Sequence, residues 1–164
     1  MVSLTDRKKC ASSIKIHDQE SFRHLQKKIM DQRSLDRELY QACEEENLEE
    51  ARTLLDQGAN PNAEGFSWYS CALQAAARRT SVELVQLLLN QGAKINTHGG
   101  YHGSALLGAA QYGNTEIVIL LINAGADLND RGPFGTALAV ARDKDFQEVV
   151  EILEKAGAAE WRPY

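Results

Sequence analysis

The sequence predicts an all-α solenoid of about four helix-turn-helix repeats with hairpin loops and an N-terminal helical extension. Three observations carry this reading. Gly-Ala pairs begin at Gly58, Gly92, Gly125 and Gly157, and the interval between them shortens by one at each step. Leu39, Leu73, Leu106 and Leu138 each stand at the same distance before the next such pair. Apolar residues in between recur at helical spacing. A near-constant period of this length marks an array whose units cannot bury their apolar faces alone and must stack.

The chain has 164 residues, 43% of them apolar and 25% charged, which suits one packed domain. Residues 1–35 hold eight Lys/Arg against four Asp/Glu, a net +4. Residues 36–164 hold ten against nineteen, a net −9. The basic arm is suited to an acidic surface. The acidic body is a poor partner for nucleic acid, whose binding depends on neutralising phosphates. The opening stretch MVSLTDRKKCASS has no apolar core, so no secretory leader is expected there. No apolar run is long enough for a membrane span. Cys10, Cys43 and Cys71 are widely spaced and show no metal or disulfide pattern. They suit a reducing compartment, so an intracellular, cytoplasmic location is expected, with the nucleus left open.

The elements follow in order. Residues 1–35 form the basic N-terminal extension. In it Phe22, Leu25 and Ile29 lie three and four apart, predicting an amphipathic helix over 18–31 with Asp18 as its cap. This helix could close the first repeat or meet a partner. The repeat domain spans 36–164, with repeats at about 36–65, 66–99, 100–131 and 132–164. Each repeat opens on a short helix marked by its leucine. Small residues follow at helical spacing: Ala42 and Cys43, Ala76 and Ala77, Ala109 and Ala110, then Ala141. Small side chains let helices approach closely. The second helix carries an apolar stripe, as in Leu84, Val85, Leu88 and Leu89. The following glycine is the expected C-terminal cap. LLDQGANPN, LLNQGAKIN and LINAGADLN are copies of one such ending, and LEKAGAAEW is a worn fourth. The acidic last helix suits a capping repeat, and Trp161 or Tyr164 is expected to fold back over it.

These motifs resemble the ankyrin repeat over residues 36–158. The family pattern Thr-Pro-Leu-His-x-Ala-Ala, then Gly-Ala-x-x-Asn, is matched in spacing and in its overall period. CALQAAA, SALLGAA and TALAVA stand in the first half of that pattern. With GGYHGSAL they are similar to repeats common in filamentous fungi. The family histidine, which ties adjacent repeats through a buried hydrogen bond, is replaced here by Gln74, Leu107 and Ala139. Those ties are therefore expected to weaken or give way to packing. Ser104 and Thr136 are expected to cap their helices, and Cys71 to cap poorly. The loops shorten along the chain, so their hairpin tips are expected to differ.

The sequence lacks a phosphate-binding Gly-rich motif with its lysine, a His-Glu-x-x-His pair and a Gly-x-Ser-x-Gly elbow. His98 and His102 lie four apart among glycines, which disfavours a helical metal pair. Cys71 with His102 is a weak thiol–imidazole candidate. Cys71 at a helix start could be modestly reactive if exposed. No catalytic residue, metal site or cofactor is therefore expected.

The resemblance implies a non-catalytic module that binds a protein through its concave face and hairpin tips. Carried over residue by residue, it points to Trp68, Tyr69, Tyr101, His102 and Phe134 at the tips. At the ends of the first helices it points to Arg78, Arg79, Gln111 and Tyr112, beside Glu44 and Glu45 and then Asp143 and Lys144. Trp, Tyr and Arg are the residues enriched in binding hot spots. Packing beneath the hairpins is the competing role for Phe66, Tyr69, Tyr101 and Phe134. The alternative function is a small-molecule-binding protein or atypical enzyme using the same groove, covered by the N-terminal helix. Trp68, Tyr101, His102, Tyr112 and Arg78 would line it. Self-association through an open solenoid end is a third reading. Ile119 fills a slot that Gln86 holds one repeat earlier, so it is expected to be exposed.

Overall fold

The structure, a computed structural model, describes residues 19–64, 71–101, 103–159 and 161. Among these are eight helices and no strand. They are α1 (Gln19–Glu44), α2 (Leu48–Asp56), α3 (Ala72–Ala77), α4 (Val82–Asn90), α5 (Ala105–Gln111), α6 (Thr115–Asn123), α7 (Ala137–Asp143) and α8 (Gln147–Lys155). From Gln19 onward the helix expected over 18–31 is the first part of α1, which continues to Glu44, while Asp18, its expected cap, lies outside the described residues. The chain divides between Arg33 and Ser34 into two compact units. In the first unit Leu25, Ile29 and Met30 are exposed on α1. In the second, the last three repeats each pair a short first helix with a longer second one: α3 with α4, α5 with α6 and α7 with α8.

Helices stack like with like. First helices pack on first helices (α3 on α5, α5 on α7), and second helices on second helices (α2 on α4, α4 on α6, α6 on α8). The small residues make this approach possible: Ala42, Ala76, Ala77, Ala109, Ala110 and Ala141 are all buried. The four marker leucines are buried among them, as are Leu84, Leu88, Leu121 and Leu153 of the second helices. Each such leucine contributes roughly 1.5–3 kcal/mol through removal of its side chain from water. Ile119 is exposed, as its slot predicted.

Hydrogen bonds between repeats follow the same period. The asparagine that ends each Gly-Ala-x-x-Asn motif reaches into the next repeat. Asn62 Oδ1 accepts from the Lys94 N–H at 2.7 Å and its Nδ2 donates to the Gly92 carbonyl at 2.9 Å. Asn96 Oδ1 accepts from Asp127 N–H at 2.9 Å, and Asn129 Oδ1 from Ala159 N–H at 2.8 Å. The first repeat has no predecessor to supply such an asparagine. The buried carboxylate of Asp36 takes that place and accepts from the Asn60 N–H at 2.7 Å.

The turn between helices is tied differently at each step. Glu46, at φ 58°, accepts from the Thr80 N–H at 2.6 Å, the Thr80 hydroxyl at 2.8 Å and the Ser81 N–H at 3.2 Å. Those donors, the Thr80 N–H foremost and its hydroxyl next, hold the Glu46 carboxyl below the usual carboxylate range. A lowered folded-state value stabilises the fold above the unfolded-state value, and this is lost as pH falls through the folded-state value. Glu46→Gln is therefore expected to lower the melting temperature at pH 7. The gap from the parent should close as pH drops through the acid range below about 4. Solvent screening at this exposed site keeps the effect below about 1 kcal/mol. A gap independent of pH between 7 and 3 contradicts this assignment. One step later Asn114 leaves its own helix uncapped. Its Nδ2 donates back to the carbonyls of Ala77 at 2.9 Å and Arg79 at 2.7 Å.

At the C-terminal end Thr136 caps α7 as expected, accepting from the Ala139 N–H at 3.4 Å. It also holds the last segment: its hydroxyl donates to the Ala159 carbonyl, and its N–H to that of Trp161. Trp161 thus folds back, half-buried, with the Arg131 guanidinium 4.8 Å from its ring centroid. Tyr164 lies outside the described residues.

Candidate interaction surface

The loop between α4 and α5 holds four glycines and Tyr101, and Gln74 helps to determine how it lies. Gln74 stands where the family pattern has histidine. It is buried, its Oε1 accepts from the Cys71 N–H at 3.3 Å, and its Nε2 hydrogens are shared among three loop carbonyls. These are Thr97 at 3.1 Å, Gly99 at 3.4 Å and Gly103. The tie expected to weaken is therefore kept, in amide form. Gly103 has φ +79° and is buried between Leu107 and Gly132 of the next loop. Ser104 does not cap α5 as expected: its Oγ is buried and has no hydrogen-bond partner among the described residues.

Held this way, Tyr101 is exposed rather than packed beneath the hairpin. Its ring meets that of Phe134, on the next tip, edge-on at 5.4 Å between centroids and 68° between planes. Phe134 is exposed too, on a tip closed by paired hydrogen bonds between Gly132 and Gly135. An edge-to-face pair contributes about 0.5–1.5 kcal/mol beyond area burial. His98, on the same loop as Tyr101, pairs across to Asp130, with Nδ1 at 2.9 Å from Oδ1.

The ends of the first helices are joined as well. Arg78 lies with Nη1 4.0 Å from Glu44 Oε1 of the preceding repeat and its guanidinium 5.4 Å from the Tyr112 ring of the following one. Three repeats thus meet at one arginine. The contact to Glu44 is long and partly exposed, worth about 0–1 kcal/mol. Arg79 and Gln111 are half-buried, and Tyr112 is exposed. Of the residues singled out from sequence, Tyr101 meets Phe134 and Arg78 meets Tyr112. Trp68, Tyr69 and His102, with Phe66, lie outside the described residues.

Two of the open depressions on the surface have volumes of about 230 and 510 Å³. The smaller is lined by Thr80, Val82 and residues 113–117, the larger by Glu64 and residues 94–98. Neither includes Tyr101, Tyr112 or Arg78, which would line the groove in the alternative small-molecule reading. Among the described residues no three of His, Cys, Asp and Glu gather as a metal site would require. None of the described helices is long and apolar enough to cross a membrane.

A family model described as ankyrin repeats in three copies matches residues 14–99, 39–132 and 73–161. The chain belongs to the ankyrin-repeat family. Ankyrin repeats are generally protein–protein interaction modules. No curated protein is similar enough to this ankyrin-repeat chain to count as a match.

Cys71 of the second ankyrin repeat is buried, and burial raises its thiol pKa, outweighing the N–H groups at the helix start that lower it. Burial, with Cys71 and Glu44 nearby, pushes Cys43 up to about 12. Cys71 is not exposed, so the condition set for its modest reactivity is not met. At pH 8 such a Cys43 thiol is almost wholly protonated, and the thiolate is the reactive form. Both cysteines are expected to resist iodoacetamide at pH 8 in the folded protein and to react fully in denaturant. Peptide mass mapping reads the outcome, and rapid native labelling of either residue would contradict the packing described.

Proposed function

We propose that this ankyrin-repeat protein is a non-catalytic module that binds a protein partner through its hairpin tips and the adjoining ends of its first helices. One observation carries the reading. Four large apolar side chains are exposed on the described part of the repeat unit: Tyr101, Tyr112, Phe134 and Ile119. Three of the four are aromatic, and these three sit on the hairpins and first-helix ends. Ile119 alone belongs to a second helix. Their exposures are 49%, 46% and 41% for Tyr101, Tyr112 and Phe134. Exposed aromatics beside arginine form the composition of binding hot spots, where truncation costs about 2 kcal/mol or more. The buried free thiols of Cys43 and Cys71 support an intracellular, reducing setting.

The test compares proteins captured from lysate by the parent chain and by a Tyr101→Ala, Tyr112→Ala, Phe134→Ala variant. Circular dichroism first confirms that the variant keeps its helix content. At least one specific partner should be lost, while Ile119→Ala retains it. If the triple variant captures every partner of the parent, this surface is not the binding face.

A further inference from the structure

The inference concerns the chemistry of the partner and rests on the protein-binding role just proposed. Four residues occupy one register position at the ends of the first helices. They are Glu45, Arg79, Tyr112 and Lys144, separated by the same intervals as the Gly-Ala pairs. Glu45, Tyr112 and Lys144 are exposed and Arg79 is half-buried. The row reads carboxylate, guanidinium, phenol, ammonium. Adjoining repeats touch there, as the contacts from Arg78 to Glu44 and to Tyr112 show. The arginine pair 78–79 is the only pair of adjacent basic residues in 36–164. The sign of charge therefore changes along the row.

Packed helices stand about 8–10 Å apart. A polyproline II segment has three residues per turn and rises about 3.1 Å per residue, so one turn advances about 9 Å. Its residues i, i+3, i+6 and i+9 share one face and fall in step with the repeats. A β-strand, with side chains alternating every residue, would turn every second anchor away. We infer that the partner is an extended, proline-containing segment with a basic, an acidic, an apolar and an acidic side chain at three-residue spacing. They would meet Glu45, Arg79, Tyr112 and Lys144 in turn. The ring of Tyr112 takes the apolar anchor, and the charges on either side of it set the register. The low entropy of a polyproline II segment suits it to an aromatic-bearing groove.

Fluorescence anisotropy with labelled peptides tests this on the full chain. The probes are Lys-Pro-Pro-Glu-Pro-Pro-Leu-Pro-Pro-Glu and the same order reversed, since the segment can run either way. The control has the same composition with its anchors two residues apart. One probe should bind at least about tenfold more tightly than the control, roughly 1.4 kcal/mol. Lys144→Glu, at an exposed site, should lower that advantage at least about threefold and restore it for a peptide with lysine at the last anchor. Arg79→Glu should do the same at the acidic second anchor. Equal binding of probe and control overturns the inference, as does Lys144→Glu without a switch of preference. If the aromatic triple variant loses its lysate partner while the peptides show no preference for spacing, the segment inference fails and the binding face stands. If the triple variant keeps every partner, the binding face itself fails.

Discussion

Gln74→Leu is expected to lower the free energy of unfolding by about 3 kcal/mol. Leucine keeps the volume and removes both polar ends of the side chain. The Gly103 carbonyl is buried in this contact, and the Thr97 and Gly99 carbonyls are partly buried. The Cys71 N–H loses its acceptor as well. A buried group left without a partner costs about 1–3 kcal/mol, and those nearer the surface recover part of that from water. Urea unfolding gives the total as a change of midpoint at constant slope. Hydrogen exchange should locate the loss, with faster exchange over residues 97–103 and little change in α7 and α8. Gln74→His should recover part of the stability, since an imidazole N–H can replace one of the amide's bonds. A loss under about 0.5 kcal/mol for Gln74→Leu would show that the loop is held by something else.

Gly103→Ala is expected to cost about as much, through a different mechanism. The residue sits at φ +79°, where a side chain costs roughly 1–2 kcal/mol. The added Cβ would meet Leu107 Cδ1 at 2.8 Å and Gly132 Cα at 3.3 Å. Leu107 can rotate at a cost to its packing, but the Gly132 backbone lies on the next hairpin and moves only with it. The two contributions together predict about 3 kcal/mol, less about 0.4–1 kcal/mol returned by the stiffer unfolded chain. Gly92→Ala is the control. Its φ of +81° is nearly the same, but a Cβ there meets nothing within 4 Å, so only the backbone cost of roughly 1–2 kcal/mol, less the same return from the unfolded chain, should appear. Equal losses at the two positions would mean that crowding at the hairpin is unimportant. A Leu107→Ala background should relieve part of the Gly103→Ala cost, which a double-mutant cycle measures.

These two positions show where reading the chain as a pattern succeeds and where it stops. The Gly-Ala pairs, the marker leucines and the small residues after them point to the stack because burial is periodic. A helix that must lie against a copy of itself repeats its apolar face at the period of the array. Surface candidates were legible from the positions that the family resemblance marks and from residue type there, as in Tyr101, Tyr112, Phe134 and Arg78. Their pairing was not, because Tyr101 meets Phe134 across a full repeat of chain and Arg78 reaches both neighbours. Gln74 shows the limit most clearly. It departs from the family histidine, so the pattern predicts a weakened tie, yet an amide in that place finds its own carbonyls. Ser104 fails in the opposite sense, since a good capping residue makes no capping hydrogen bond. Asp36 has no counterpart in the repeat and does the work of an absent asparagine.

The sequence alone settles which residues are buried in the stack and how often they return, because hydrophobic burial is non-directional and leaves a periodic trace. Hydrogen bonds and ring contacts are directional, and many of their partners here lie in the neighbouring repeat, as Gly103 does for Gln74. The three-dimensional arrangement therefore decides which loop Gln74 holds, how Tyr101 comes to face outward, and what stands beside it.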